Sequence, residues 1–452
     1  MAHADADVAA YVRSFLDDCP WVRRRVEKIE FVDDATISRH TTLDLSGVDL
    51  TAVTQACPFH ADRPIVPIAV LRKNLLVHFD LRDNMSQTLA VLPREVDTFF
   101  AWSLLMEQAG QSLGDQVDEE IANFLWSLAF SFPDPDDDPF QSTVRAWVPP
   151  QAWSHERRRI WRRLLEDPTF SRFLRDFTFN YLLLTQVTGG QATHIIKYSY
   201  HQHFPFKPDK WPARLGWVPP EIQIDAPAVG WGRSYHLEIN LPRELRGIGP
   251  ILYRLVQDQG RDGLLALPAE PYDTVSQSRS VEIHTTDVVR PADHVLAVPV
   301  RLSLAGYLRA IWISTLFAAL VLLLGRLNLP SVVKALNTKS EAAVALLLVI
   351  PSLITAYLIR PEEHAIASSL LRHLRYLAAL AGMLTYLAAG TLVLGVSGGK
   401  LADMWTVLCV VSCAIALSFS VAVIRTSADC RDADKVCGDT RQQQVLERRL
   451  KY

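Results

Sequence analysis

Four runs in the last third of the chain carry no charged side chain and no histidine. They are Ala310–Gly325 with 16 residues, Ala342–Ile359 with 18, Tyr376–Gly399 with 24 and Met404–Ile424 with 21. About 20 apolar residues cross the hydrocarbon core of a bilayer. The first run reaches that length once Gly306–Leu308 join it, with Arg309 reaching back to the interface. None of the runs has the polar face that a helix in a water-soluble bundle keeps. The sequence therefore predicts a four-helix transmembrane domain over 303–425 and a tail over 426–452.

Basic residues flanking the runs set the expected orientation. With the N-terminus inside, the inner flanks hold Arg301, Arg309, Arg360, Arg372, Arg375, Arg425, Arg431 and Lys435, and the outer loops hold Arg326, Lys334, Lys339 and Lys400. The opening residues MAHADADVAAYVRSF show no basic segment followed by an apolar run, so no secretory signal is expected. Both observations predict a multi-pass protein of the plasma membrane with N- and C-termini in the cytoplasm. The runs hold no Asp, Glu, Lys, Arg or His, which argues against an ion-coupled transporter. A pore lined by hydroxyls or apolar groups stays open. Pro351 predicts a kink in the second run. Ala381, Thr385 and Ala389 make a small-residue face suited to close helix contact, within one chain or between copies.

The preceding 302 residues are a different material. Formal net charge over the whole chain is −3, so this is not a polybasic nucleic-acid binder. Hydrophobic residues make up 49%, enough for a large core. The six cysteines show no disulfide-framework spacing, which fits a reducing compartment. Residues 1–187 read as a mixed α+β domain. A helix is expected within 1–27 on Val8, Tyr11, Val12, Phe15 and Leu16, strands from Glu30 to Leu92, then helices from Pro93 and over Val117–Phe130. Residues 188–302 alternate apolar and polar: Ile196, Tyr198 and Tyr200; Ile222 and Ile224; Tyr235, Leu237 and Ile239; Val281 and Ile283; then Val295–Val300. That period predicts a separate antiparallel β-sandwich. Its last strand leads into the first apolar run with no flexible linker.

Three groups of residues invite a chemical reading. Pro150–Leu165 predicts a helix with Trp153, Ile160, Trp161 and Leu164 opposite Arg157, Arg158, Arg159, Arg162 and Arg163. It reads first as a solvated helix packed on its domain, and otherwise as a membrane-surface or anion-binding element. His201 and His203, two apart on a strand, point the same way, and His236 sits on another strand's polar face. Were those faces to meet, the three imidazoles would make a zinc site, although polar surface histidines are the simpler reading. Cys57 and His60 with Asp62 lack the second ligand pair of a zinc finger, and the acidic loop Ser131–Asp138 lacks the ordered ligands of a calcium loop. No phosphate-binding loop, nucleophile elbow, zinc-protease or kinase motif occurs. No catalytic residue and no required cofactor is predicted.

The tracts PIVPIAVLRKNLLVHFDLRD, HIIKYSYHQHF, GRSYHLEINLP and IRPEEHAIASSLLRHLR resemble a group of actinobacterial membrane proteins. The resemblance implies a cytoplasmic N-terminal part, an SYH-type β-domain and C-terminal spans forming one unit. It implies no catalytic residues. Three functions are then open. The first is a non-enzymatic sensor or scaffold, binding a ligand or protein in the cytoplasm and joined to a membrane anchor. The second is a pore gated from the cytoplasm. The third is a metal-dependent enzyme at His201 and His203. The bilayer is the expected partner, with a second copy or another membrane protein beside it.

Overall fold

The computed structural model describes residues 6–450 except 18, 20, 48–63, 74–76, 115–116, 133–146, 188–192, 205, 207–209, 227–228, 230, 258–263, 269–272, 278–279, 287–293, 304–307, 329–348, 350–363 and 395–398. The second apolar run with Pro351, the Cys57–Asp62 segment and most of the acidic loop lie outside the described residues.

Helix α1 (Ala6–Asp17) is shorter than the 1–27 expectation. Cys19 adopts a positive φ of 43°, and β1 (Val22–Phe31) starts within the stretch read as helix. β2 (Thr36–Ser46) pairs antiparallel with β1. β3 (Ile65–Arg72) and β4 (Val77–Arg82) follow. Four helices come next: α2 (Arg94–Leu113), α3 (Glu119–Phe130), α4 (His155–Glu166) and α5 (Pro168–Phe179). Their starts are written in the sequence. The side chains of Asp118, Ser154 and Asp167 each accept a hydrogen bond from a first-turn backbone N–H, and Pro168 takes the first helical position of α5. α2 ends at Gly114, whose φ of 73° is the left-handed conformation a helix stop favours.

The remaining strands are β5 (Asn180–Gln186), β6 (Thr193–His203), β7 (Glu221–Asp225), β8 (Ser234–Asn240), β9 (Leu245–Gly247), β10 (Ile251–Gln257), β11 (Leu264–Pro268), β12 (Asp273–Gln277), β13 (Ser280–Thr286) and β14 (His294–Leu302). A short helix, α6 (Trp211–Arg214), precedes β7. One sheet of seven strands runs β12-β13-β8-β1-β2-β6-β4. A second runs β11-β10-β14-β7, with β9 on β14, and β3 pairs with β5. The boundary drawn at 187/188 therefore does not divide the fold, because β1, β2 and β4 share a sheet with β6, β8, β12 and β13. Nor is that sheet wholly antiparallel: β1 and β8 pair in parallel across about 200 residues of chain. Local alternation reports which face of a strand is apolar, not which strand lies beside it.

The inner face of the seven-stranded sheet buries Ile29, Ile37, Leu43, Ile196, Leu237, Ile239, Val281 and Ile283 in one core with Ile222, Leu296 and Val298 of the second sheet. Gly247 of β9 lies against Val281 where a Cβ would collide, so the two sheets approach closely there. α1 enters the same core: Tyr11 and Phe15 stack on Trp21, and the Tyr11 hydroxyl donates to the Ile65 carbonyl at 2.7 Å.

Among the described residues three long helices with apolar runs follow: α7 (Arg309–Leu327), α8 (Ala365–Val393) and α9 (Gly399–Leu450). α7, α8 and residues Gly399–Asp429 of α9 are each long and apolar enough to cross a membrane. They meet through Ala318, Leu322, Ala378, Ala381, Leu384, Trp405, Leu408 and Phe419. Ala381, Thr385 and Ala389 are all buried, so the small-residue face is used within the chain. The Trp405 indole donates to Thr391 at 3.0 Å and lies on Gly325, where any side chain would meet the ring.

Candidate functional site

Two polar constellations stand out, one inside the sheets and one where they meet the apolar helices. The first occupies the inward face of β1 and β2. The alternation of VRRRVEKIEF turns Arg25, Glu27 and Ile29 inward, and Arg39 follows on β2. All three charged groups are buried, at 5%, 0% and 4% exposure. Arg25 Nε donates to Glu27 Oε1 at 2.7 Å, and Arg39 reaches Oε2 at 3.3 Å. The Tyr235 hydroxyl donates to Oε2 at 3.2 Å, and Arg25 also donates to the Tyr198 hydroxyl at 2.7 Å. Burial alone would raise the Glu27 carboxyl. The two guanidiniums outweigh it and hold the group below the usual carboxylate range. Burial pushes Tyr200 up to about 12 and Tyr235 well above the ordinary phenol value, so both stay neutral.

The cluster joins separate layers. Arg25 reaches the Ile68 carbonyl on β3, and Arg39 Nη2 donates to the Asp225 carbonyl at the end of β7 at 2.7 Å. β7 pairs with β14. At the far end of β14 lies the second constellation. Buried Arg301 donates to the Gly216 carbonyl at 2.8 Å and through Nε to Asp429 Oδ2 of α9 at 2.7 Å, with a second nitrogen on the same oxygen. Gly216 has a φ of 71°, and a Cβ there would stand 3.5 Å from Ala422. The Trp217 indole donates to Ser418 of α9 at 3.2 Å. A cavity of about 20 Å3 between Arg301, Pro220, Leu374 and Ala422 holds no more than about one water. α8 completes the contact. Its first turns bury Ile366, Ala367 and Leu370 in the sheet core, and His364 lies 3.0 Å from the Phe31 carbonyl.

The histidines weighed as a zinc site do not converge. His236 aligns through Val26 and Thr42 with Lys197 on β6, four residues from His201. Three strands across and four residues along amount to roughly 14 and 13 Å. His201 instead lies beside His78, with ring centroids 4.6 Å apart, and His236 faces His284 at 6.0 Å. His203 is exposed at the strand end. Among the described residues no three His, Cys, Asp or Glu gather as metal ligands.

The arginine helix turns its tryptophan inward. Trp161 is buried against Phe124 and Phe170, and its indole donates to the Trp147 carbonyl. Arg157 pairs with Asp118 at 2.7 Å and Glu120 at 2.6 Å, and Arg158 holds the Gln151 carbonyl. Arg159, Arg162 and Arg163 are exposed.

Sequence reading missed both constellations. Arg25 and Glu27 fall in the stretch read as helix, Arg39 has no role in that reading, and Arg301 looks like one more flanking charge. The legible hint was alternation, which puts Arg25 and Glu27 in phase with Ile29. The chain matches no known protein family model and no curated protein.

Proposed function

We propose that the chain is a non-enzymatic membrane sensor or scaffold, in which the state of the sheet region is passed to the apolar helices through Arg301. The observation that carries this is the path from the buried Glu27 cluster through Arg39 to β7, along β14, and through Arg301 to Asp429. A passive anchor needs no buried arginine held to a carboxylate at its root. Both termini lie on the cytoplasmic side in this reading, with four spans. The polarity of the described helices supports the fourth. α7 runs antiparallel to α9, with Trp312 on Ser420 and Arg326 on Thr406. α8 does the same, with Thr391 on Trp405 while Leu374 and Ala422 flank Gly216. Both α7 and α8 therefore start at the sheet end, and a fourth span between them would return the chain across about 28 Å, the length of α7. Its uncharged run Ala342–Ile359 suits that crossing.

The described helices favour an anchor over a pore. The hydroxyls of Thr315, Thr385 and Thr391 each donate to a carbonyl of their own helix. Glu27→Gln tests the coupling. It leaves two buried guanidiniums facing no carboxylate within the cluster, a loss of about 3–5 kcal/mol. Hydrogen exchange on the full chain in a bilayer is expected to rise both in β1–β2 and in residues 418–429. A rise confined to the sheets would overturn the reading.

A further inference from the structure

We propose that the turn Trp211–Val218 is a membrane foot, an aromatic and basic segment of the sheet region seated in the lipid interface beside α9. The proposal rests on α7–α9 lying in a bilayer. Trp211 is 61% exposed, which is uncommon for a ring of that size. Its ring packs edge-on against Trp217 at 5.2 Å, and Trp217 is pinned to Ser418. Ser418 lies inside the uncharged run, seven residues before Arg425, about 10 Å along the helix. The turn therefore reaches below the charged rim. Around it α9 presents Leu417, Val421 and Ile424 outward, Leu417 at 65% exposure. Lys210 and Arg214 stand exposed beside the tryptophans. Tryptophan with lysine or arginine is what the boundary between acyl chains and phosphate headgroups selects. The other helices mark the same level. Tyr376 on α8 is exposed just past Arg375, and Trp312 on α7 donates to Ser420 at 2.9 Å. The four rings make a girdle at one end of the bundle, and Trp211 and Trp217 are the two that come from outside the spans. Continuity with the lipid-facing surface of α9 identifies the occupant as lipid.

The test uses the full chain in vesicles of phosphatidylcholine and phosphatidylglycerol. An environment-sensitive fluorophore is placed by Trp211→Cys, Leu417→Cys or Met85→Cys after the native cysteines are replaced. The Trp211 probe is expected to be quenched by lipid spin-labelled near the headgroup and shielded from aqueous iodide, as at Leu417. Met85, exposed in the turn after β4, should show the reverse. A Trp211 probe open to iodide while the Leu417 probe stays lipid-quenched would overturn the foot and leave the membrane placement standing. Such a result would point to a protein-docking face. A Leu417 probe open to iodide would overturn both. The conservative Trp211→Phe checks the same point in the intact fold. It should reduce the tryptophan emission quenched by brominated lipid, and an unchanged fraction would contradict the proposal.

Discussion

Asp97 and Lys73 show how a buried charge is tolerated when backbone dipoles surround it. Asp97 accepts a hydrogen bond from the Leu182 N–H at 2.7 Å, yet burial still pushes its carboxyl up to about 7. Lys73 donates to the carbonyls of Ala129 and Phe177, at the C-terminal ends of α3 and α5, where helix dipoles favour a cation. Burial nonetheless lowers it to about 8. The two shifts act in opposite directions with pH. A raised acid stabilises the fold below its ordinary pKa of 3.8, and that contribution is lost as pH rises through 7. A lowered lysine contributes above 10.5 and loses that contribution as pH falls through 8. The unaltered protein is therefore expected to lose melting temperature between about pH 4 and 7, and Asp97→Asn to flatten that fall. Thermal scans across that range check it, and parallel curves for the two proteins would contradict the assignment. Neither residue was legible in the sequence as buried. Asp97 reads as an ordinary acidic residue in a first helical turn, and only the packing of β5 on α2 encloses it.

At the scale of elements, apolar stripes were readable, and partners were not. The caps at Asp118, Ser154 and Asp167 are local chemistry, yet the helix expected from Pro150 starts after Ser154 and the one behind Asp167 was not expected. The parallel β1–β8 pair depends on contacts between distant segments, and no local pattern records it. The apolar helices were the most legible elements because each contains a long run without charge, although their mutual packing rests on single residues. Gly325 admits the Trp405 ring, and Thr391 takes its N–H. Gly325→Leu should force Trp405 out and separate α7 from α9, destabilising the bundle by about 1–3 kcal/mol. Thr391→Val should cost about 1–3 kcal/mol by leaving the indole N–H unpaired. Unfolding followed by Trp405 emission in detergent tests both, and a Gly325→Leu protein as stable as the parent would refute the contact.

For the whole molecule, the sheets and the apolar helices behave as one body because three contacts meet at their junction. Arg301 holds Asp429, Trp217 holds Ser418, and the first turns of α8 sit in the sheet core. The sequence suggested this only through the absence of a linker after β14. Spin labels at Met85→Cys in the sheet region and Leu394→Cys at the end of α8, both exposed, report whether the two parts move together. Their distance in the bilayer-embedded chain should be one narrow distribution that broadens in Arg301→Ala. A distribution already broad before that change would contradict a docked sheet region and the transmission built upon it.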